Sequence, residues 1–157
     1  MLFAAQTVAA ANAAELSGND ARLLSIDLHA DAAAVPIDGV LVLLFSLPDC
    51  HWCHAVRSGY LLPLLREPAA NADLRIRELP LSGEPVIDLD GEHRDIDTIA
   101  ARWSVKAAPT VLFLDRCGGE LAEPLVGGDV AGFYAAYFDR ALAAARTRAA
   151  ARDSTIY

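Results

Sequence analysis

Long apolar runs are missing from this sequence. No stretch of the 157 residues approaches the roughly 18–20 uninterrupted apolar residues that a membrane-spanning helix requires. Basic residues are scarce: 13 Lys and Arg stand against 21 Asp and Glu, a formal charge of −8. A nucleic-acid partner wants a basic face, so the balance argues against one. It suits a protein that repels its own copies and works as a monomer. Internal repeats and linkers are absent, and low complexity is confined to the Ala-rich ends. Apolar residues still make up 54% of the chain, which excludes disorder and allows one domain with a real core.

Cysteine is limited to Cys50, Cys53 and Cys117, and methionine to Met1. An odd number of cysteines makes a poor disulfide framework. Cys50 and Cys53 are too close in sequence to staple a fold, so they read as chemical rather than structural. Cys117 reads as a buried or bystander thiol beside Gly118-Gly119; a regulatory disulfide is the alternative, and nothing in the sequence supports it.

The opening residues, "MLFAAQTVAAANAA" (1–14), carry no charged side chain and end in an A-x-A-like pattern before Glu15. The basic n-region of a secretory signal is missing. Two readings stand: a truncated signal peptide, or an Ala-rich helix lying on the fold. The first would put the mature protein in the periplasm or otherwise outside the cytoplasm, where disulfides persist. The expected organisation is this segment, a single domain over 15–150, and a tail over 151–157.

Periodicity supplies the elements. "RLLSIDLHA" (22–30) alternates apolar and polar residues and predicts an N-terminal strand. "VLVLLFS" (40–46) is continuously apolar and predicts a strand buried on both faces. Residues 51–66 predict a helix that Pro63 should kink or end early. "DLRIREL" (73–79) predicts a strand, and Val86–Leu89 a short one turned by Asp90-Gly91. A short helix over 96–104 should bury Ile96, Ile99, Ala100 and Trp103. "TVLFLD" (110–115) predicts a strand, followed by a turn at Cys117-Gly118-Gly119 and an edge strand within 120–127 marked by Pro124. A last helix over 130–150, capped by Asp129, should bury Tyr134, Phe138, Ala141 and Ala145, with Arg146, Arg148 and Arg152 near its end suiting the helix dipole.

The chemistry centres on "DCHWCH" (49–54). Cys50-x-x-Cys53 is a redox dithiol; with His54 it also spells the attachment signature of a c-type haem. A buried strand followed by this pair at the start of a helix predicts an α/β sheet with the thiols at the strand's carboxyl edge.

"FSLPDCHWC", then "VKAAPTVLFLD" with Pro109 before a strand, then "LFLDRCGGEL", resemble the thioredoxin superfamily over about residues 38–145. The resemblance implies a thioredoxin-like fold: a mixed central sheet flanked by helices, here with an extra N-terminal strand. It implies thiol–disulfide oxidoreductase activity and a cis proline at Pro109 beside the dithiol. The segment "VIDLDGEHRDIDTIAARWSVKAAPTVLFLD" is similar to periplasmic thioredoxin-like proteins linked to sulfur oxidation. Departures are visible. Thioredoxin proper has Trp where Asp49 stands, Gly-Pro where His51-Trp52 stands, and a buried Asp where Leu44 stands. The span from Cys53 to Pro109 leaves little room for the helical insertion of the strong periplasmic oxidases.

Exchange begins when a thiolate attacks a disulfide, so one cysteine must ionise easily. A helix N-terminus offers unpaired N–H groups to Cys50, the expected nucleophile, and Cys53 one turn later resolves the mixed disulfide. His51, when protonated, favours the thiolate, while Asp49 opposes it. Trp52 reads as an apolar lip for substrate or as an aromatic covering the helix start. Backbone around Ala108 and Pro109 would pair with a bound peptide as an added strand. Protein thiols and disulfides, with an upstream thiol donor or acceptor, are the implied partners. The dithiol needs no cofactor.

Three alternatives accompany this reading. Haem attachment lacks the usual axial partner, since the only Met is Met1; His29 and His93 are candidates on polar faces. A zinc site from Cys50, His51, Cys53 and His54 lacks a second ligand pair, for which His93 and Cys117 do not serve. A non-enzymatic peptide-binding module would use the Pro109 groove alone. Among redox roles, reductase, isomerase and oxidase share such a site, and the reduction potential separates them; the resemblance favours a reductase.

Overall fold

Every residue of the strand Val40–Ser46 (β1) is buried, and the other elements are arranged around it. The computed structural model describes residues 22–128 and 132–153. Strand Leu74–Pro80 (β2) pairs with β1 in parallel, with Leu44 opposite Glu78. Strand Thr110–Leu114 (β5) pairs with its other side antiparallel, with Phe45 opposite Thr110. Strand Leu125–Val126 (β6) closes the edge, giving the order β2-β1-β5-β6. The sheet is therefore mixed. The continuous apolar composition of β1 and β5 follows from their central place, where both faces meet helices.

Helix Leu28–Ala33 (α1) and helix Ile96–Ala101 (α4) cover one face, over Leu41, Leu43, Phe45, Leu79, Leu112 and Leu114. The opposite face, with Val40, Val42, Leu44, Ile76, Val111 and Phe113, packs against the helical segment after the dithiol and against helix Tyr134–Asp153 (α5). The Asp90-Gly91 turn is present between strands Val86–Ile87 (β3) and His93–Arg94 (β4), with Gly91 at φ 85°. As expected, α5 buries Tyr134, Phe138, Ala141 and Ala145, and also Leu142 and Ala149. Of the arginines expected to suit the helix dipole only Arg152 lies in the last turn, because α5 runs on to Asp153; it pairs with Asp115, and Arg146 instead reaches Asp73 at 2.6 Å. Segment 1–14, the cap expected at Asp129 and the end of the tail at 154–157 lie outside the described residues.

Two expectations are corrected. Residues 22–30 do not form a strand: single bridges join Leu24 to Glu78 and Asp27 to Ile87, and α1 takes over at Leu28. The apparent alternation has the wrong phase. Leu23 and Ser25 are buried while Ile26 is 81% exposed. Asp27 caps the helix by accepting a hydrogen bond from the Ala30 N–H at 2.8 Å, and the Ala-rich stretch that follows favours helix. The edge strand within 120–127 shrinks to β6 plus one bridge from Leu114 to Glu120.

Pro63 neither breaks nor ends its helix. Residues His51–Val56 (α2) run through a π-helical turn at Arg57–Leu61 into Leu62–Arg66 (α3). The Leu62 N–H reaches back to the Arg57 carbonyl, five residues away. A proline ring would collide with the carbonyl four residues earlier, and the wider turn makes room for it.

Candidate active site

The site begins where β1 ends. After Ser46 the chain passes through Asp49, whose φ of 52° is left-handed, a conformation that Asp tolerates better than most residues. That turn swings the backbone so that Cys50 becomes the N-cap of α2. The Cys50 Sγ accepts a hydrogen bond from the Cys53 N–H at 3.1 Å, and the Cys50 carbonyl accepts one from the His54 N–H at 3.0 Å. Cys50 and Cys53 are joined as a disulfide with Cα atoms 5.2 Å apart. The two cysteines are not equivalent: Cys50 is half-buried, whereas Cys53 is 1% exposed.

The other candidates lie on the turn before α2, on its first turn, and on the loop before β5. Asp49 and His51 are exposed, and the His51 ring stands edge-on to Trp52 at 5.2 Å. Trp52 is partly exposed and lies against the Gly127-Gly128 backbone: a Cβ on Gly128 would stand 2.6 Å from Trp52 Cε3. Gly127, at φ 85°, donates its N–H to the Pro109 carbonyl at 2.8 Å. Pro109 is buried at the start of β5, Ala108 is half-buried, and the peptide bond between them is cis. Trp52 and Pro109 are thus linked through one glycine pair. His54 is exposed, and its carbonyl accepts the Ser58 hydroxyl at 2.8 Å. Cys117 is exposed in its turn, with its N–H on Asp115 at 2.8 Å.

Sequence reasoning missed a buried ion pair beside the dithiol. Glu78 is 2% exposed. Its Oε1 accepts hydrogen bonds from Ser46 Oγ at 2.5 Å and Arg57 Nη2 at 2.5 Å, and its Oε2 accepts one from Arg57 Nε at 2.8 Å. The signal was present in "DLRIREL", where Glu78 follows Leu74 and Ile76 on the apolar phase of the strand. A carboxylate in that phase must find a partner. Gly127-Gly128 was also missed, because the approach of Trp52 to it is a tertiary event.

Haem attachment through the same stretch would consume both cysteine sulfurs as thioethers; here they are bonded to each other. Among the described residues, no three His, Cys, Asp or Glu side chains gather in a way that could hold a metal ion. No described helix is long and apolar enough to cross a membrane.

No family model matches the chain. No curated protein matches it either. Solved structures do. A thioredoxin-fold protein from Helicobacter pylori superposes with a TM-score of 0.51 at 13% identity, covering 90% of this chain and 97% of that one. Thioredoxin O2 from Arabidopsis thaliana, in its oxidized state, gives 0.48 at 14% identity over 76% and 93% of the two chains. The periplasmic thioredoxin SoxS from Paracoccus pantotrophus gives 0.43 at 19% identity over 68% and 98%. At such identities the likeness to the Helicobacter pylori protein defines architecture, and on that ground this chain has a thioredoxin fold.

Proposed function

We propose that the protein is a thiol–disulfide oxidoreductase that works through Cys50 and Cys53. One observation carries the reading: Cys50, the more accessible of the two cysteines, caps a helix N-terminus and its Sγ accepts the Cys53 N–H, while Cys53 is shielded from solvent. In the reduced protein that N–H and the helix terminus favour a thiolate on Cys50. The thiolate attacks one sulfur of a substrate disulfide and expels the other as a thiolate, which takes up a proton. Cys53 then loses its proton and attacks Cys50 Sγ, releasing the second substrate thiol. Two electrons pass to the substrate, and the Cys50–Cys53 disulfide remains. An upstream thiol donor must reduce it before another cycle.

We read the direction as reductive and the setting as extracytoplasmic. The support is the resemblance of residues 86–115 to periplasmic thioredoxin-like proteins and the signal-like residues 1–14. Ala108, Pro109 and Trp52 are the proposed peptide-docking groups, with Asp49 and His51 tuning the thiol.

Turnover of a protein disulfide, with dithiothreitol as electron source, tests the activity. Cys50→Ser should abolish it. Retained function in that variant would favour a peptide-binding module. Equilibration of the Cys50–Cys53 pair with glutathione tests the direction: a potential well above that of the glutathione pool would make the protein an oxidant.

A further inference from the structure

The chain that carries the dithiol is an arch with one carboxylate under both feet. Ser46, the last residue of β1, stands four positions before Cys50; Arg57 stands four positions after Cys53. The Ser46 hydroxyl and the Arg57 guanidinium both donate to Glu78 on the neighbouring strand β2. Arg57 is also tied to the dithiol directly, since its backbone N–H bonds the Cys53 carbonyl. Glu78 is almost fully enclosed, and the Arg57 side chain is 15% exposed. Enclosing a carboxylate is costly unless it is fully paired. A hydrophobic residue in this strand phase would hold the core at least as well, so the carboxylate calls for another explanation.

We propose that Glu78 is a positioning residue for the dithiol, clamping Ser46 and Arg57 so that the two cysteines are held at closing distance. This rests on the redox reading of Cys50 and Cys53. Formation of their disulfide is a ring closure, and its equilibrium depends on the effective concentration of one thiol at the other. An arch with both feet fixed keeps that concentration high. An arch with one foot loose leaves the dithiol more freedom, and the disulfide becomes easier to reduce. Thermodynamic linkage separates this role from simple stabilisation. A group that supports the oxidised and reduced folds equally lowers both stabilities when removed and leaves the potential unchanged.

The experiment equilibrates wild type, Glu78→Gln, Arg57→Met and Ser46→Ala with glutathione buffers and reads the oxidised fraction. The clamp predicts that all three variants make the disulfide easier to reduce. The expected fall in the closure constant is about three- to tenfold for the first two and smaller for Ser46→Ala; a tenfold fall is about 30 mV. A purely electrostatic influence predicts shifts of opposite sign for Glu78→Gln and Arg57→Met, because one removes a negative and the other a positive charge. Opposite shifts, or unchanged potentials, overturn the clamp. Should either ion-pair variant fail to fold, Ser46→Ala removes only a hydroxyl and decides the matter by itself. A wild-type protein that turns over no disulfide substrate would end the redox reading. A working wild type with unmoved variant potentials would end the clamp alone.

Discussion

Trp52 rests on Gly128, with the ring atoms occupying the space that any side chain at that position would need. The contact joins the first turn of the dithiol helix to the loop whose Gly127 N–H holds the Pro109 carbonyl. Gly128→Ala should therefore push the Trp52 ring toward solvent while leaving the core intact. We expect the Trp52 contribution to fluorescence to shift to longer wavelength. We also expect turnover of a protein disulfide to change several-fold more than turnover of a small one. Identical changes for both substrates would show that this contact does not shape the docking surface.

The Cys50 thiol of the reduced protein should ionise below the value of about 8.5 typical of free cysteine. The rate of alkylation against pH measures this, and Cys53 should react far more slowly because it is enclosed. An alkylation midpoint at the free-cysteine value would remove the helix terminus as the source of reactivity.

Tyr134 sets a limit on alkaline stability. Burial, and secondarily the charge of Tyr60, push its phenol up from an ordinary value of 10.0. The folded chain therefore keeps this proton at a pH where the unfolded chain has lost it. Stability is at its full value below about pH 10 and falls as pH rises toward the folded value, by about 1.4 kcal/mol per pH unit from this group. Tyr134→Phe should flatten that slope in chemical denaturation above pH 10. An unchanged slope would assign the loss to other groups.

Asp31 of α1 anchors its helix to β2: it accepts from Ser25 Oγ at 2.7 Å, Arg77 Nε at 2.7 Å and Arg75 Nη2 at 2.7 Å. Asp31→Ala leaves two guanidinium groups without this partner on a covered face. We expect a loss of about 3 kcal/mol, toward the low end for a buried pair because Arg75 is partly exposed. Urea denaturation measures it, and a loss below about 1 kcal/mol would mean that water replaces the carboxylate with ease.

The parts of this fold that were legible in the sequence are those whose signal is local. The unbroken apolar runs of β1 and β5, the Asp90-Gly91 turn, the α5 stripe and the short C-x-x-C spacing each declare themselves within a few residues. Residues 22–30 misled because a few alternating positions fit a strand, whereas the Asp27 cap and the contacts of Leu23 and Ser25 decide the structure. Leu44 looked like the loss of a buried acid. Its register partner across the sheet is Glu78, an acid in the same layer supplied by another strand. Neither that pairing nor the seat of Trp52 on Gly128 has a sequence spacing to read, because each joins segments that meet only in the folded chain.

The wide turn after the dithiol has a consequence for chain length. Val56 and Leu61 are both buried although five residues apart, a spacing that a regular α-helix would send to different directions. The π turn thus holds one surplus residue, and Pro63 is what gives that surplus a use. Deleting Ser58 alone should leave the proline without slack, and Pro63→Ala alone should leave the extra residue without a purpose. Together they should restore an ordinary helix with Val56 and the former Leu61 still on one side, so the double change should cost less than the two single changes summed. Proline and surplus residue are then one unit of the sequence, gained or lost together.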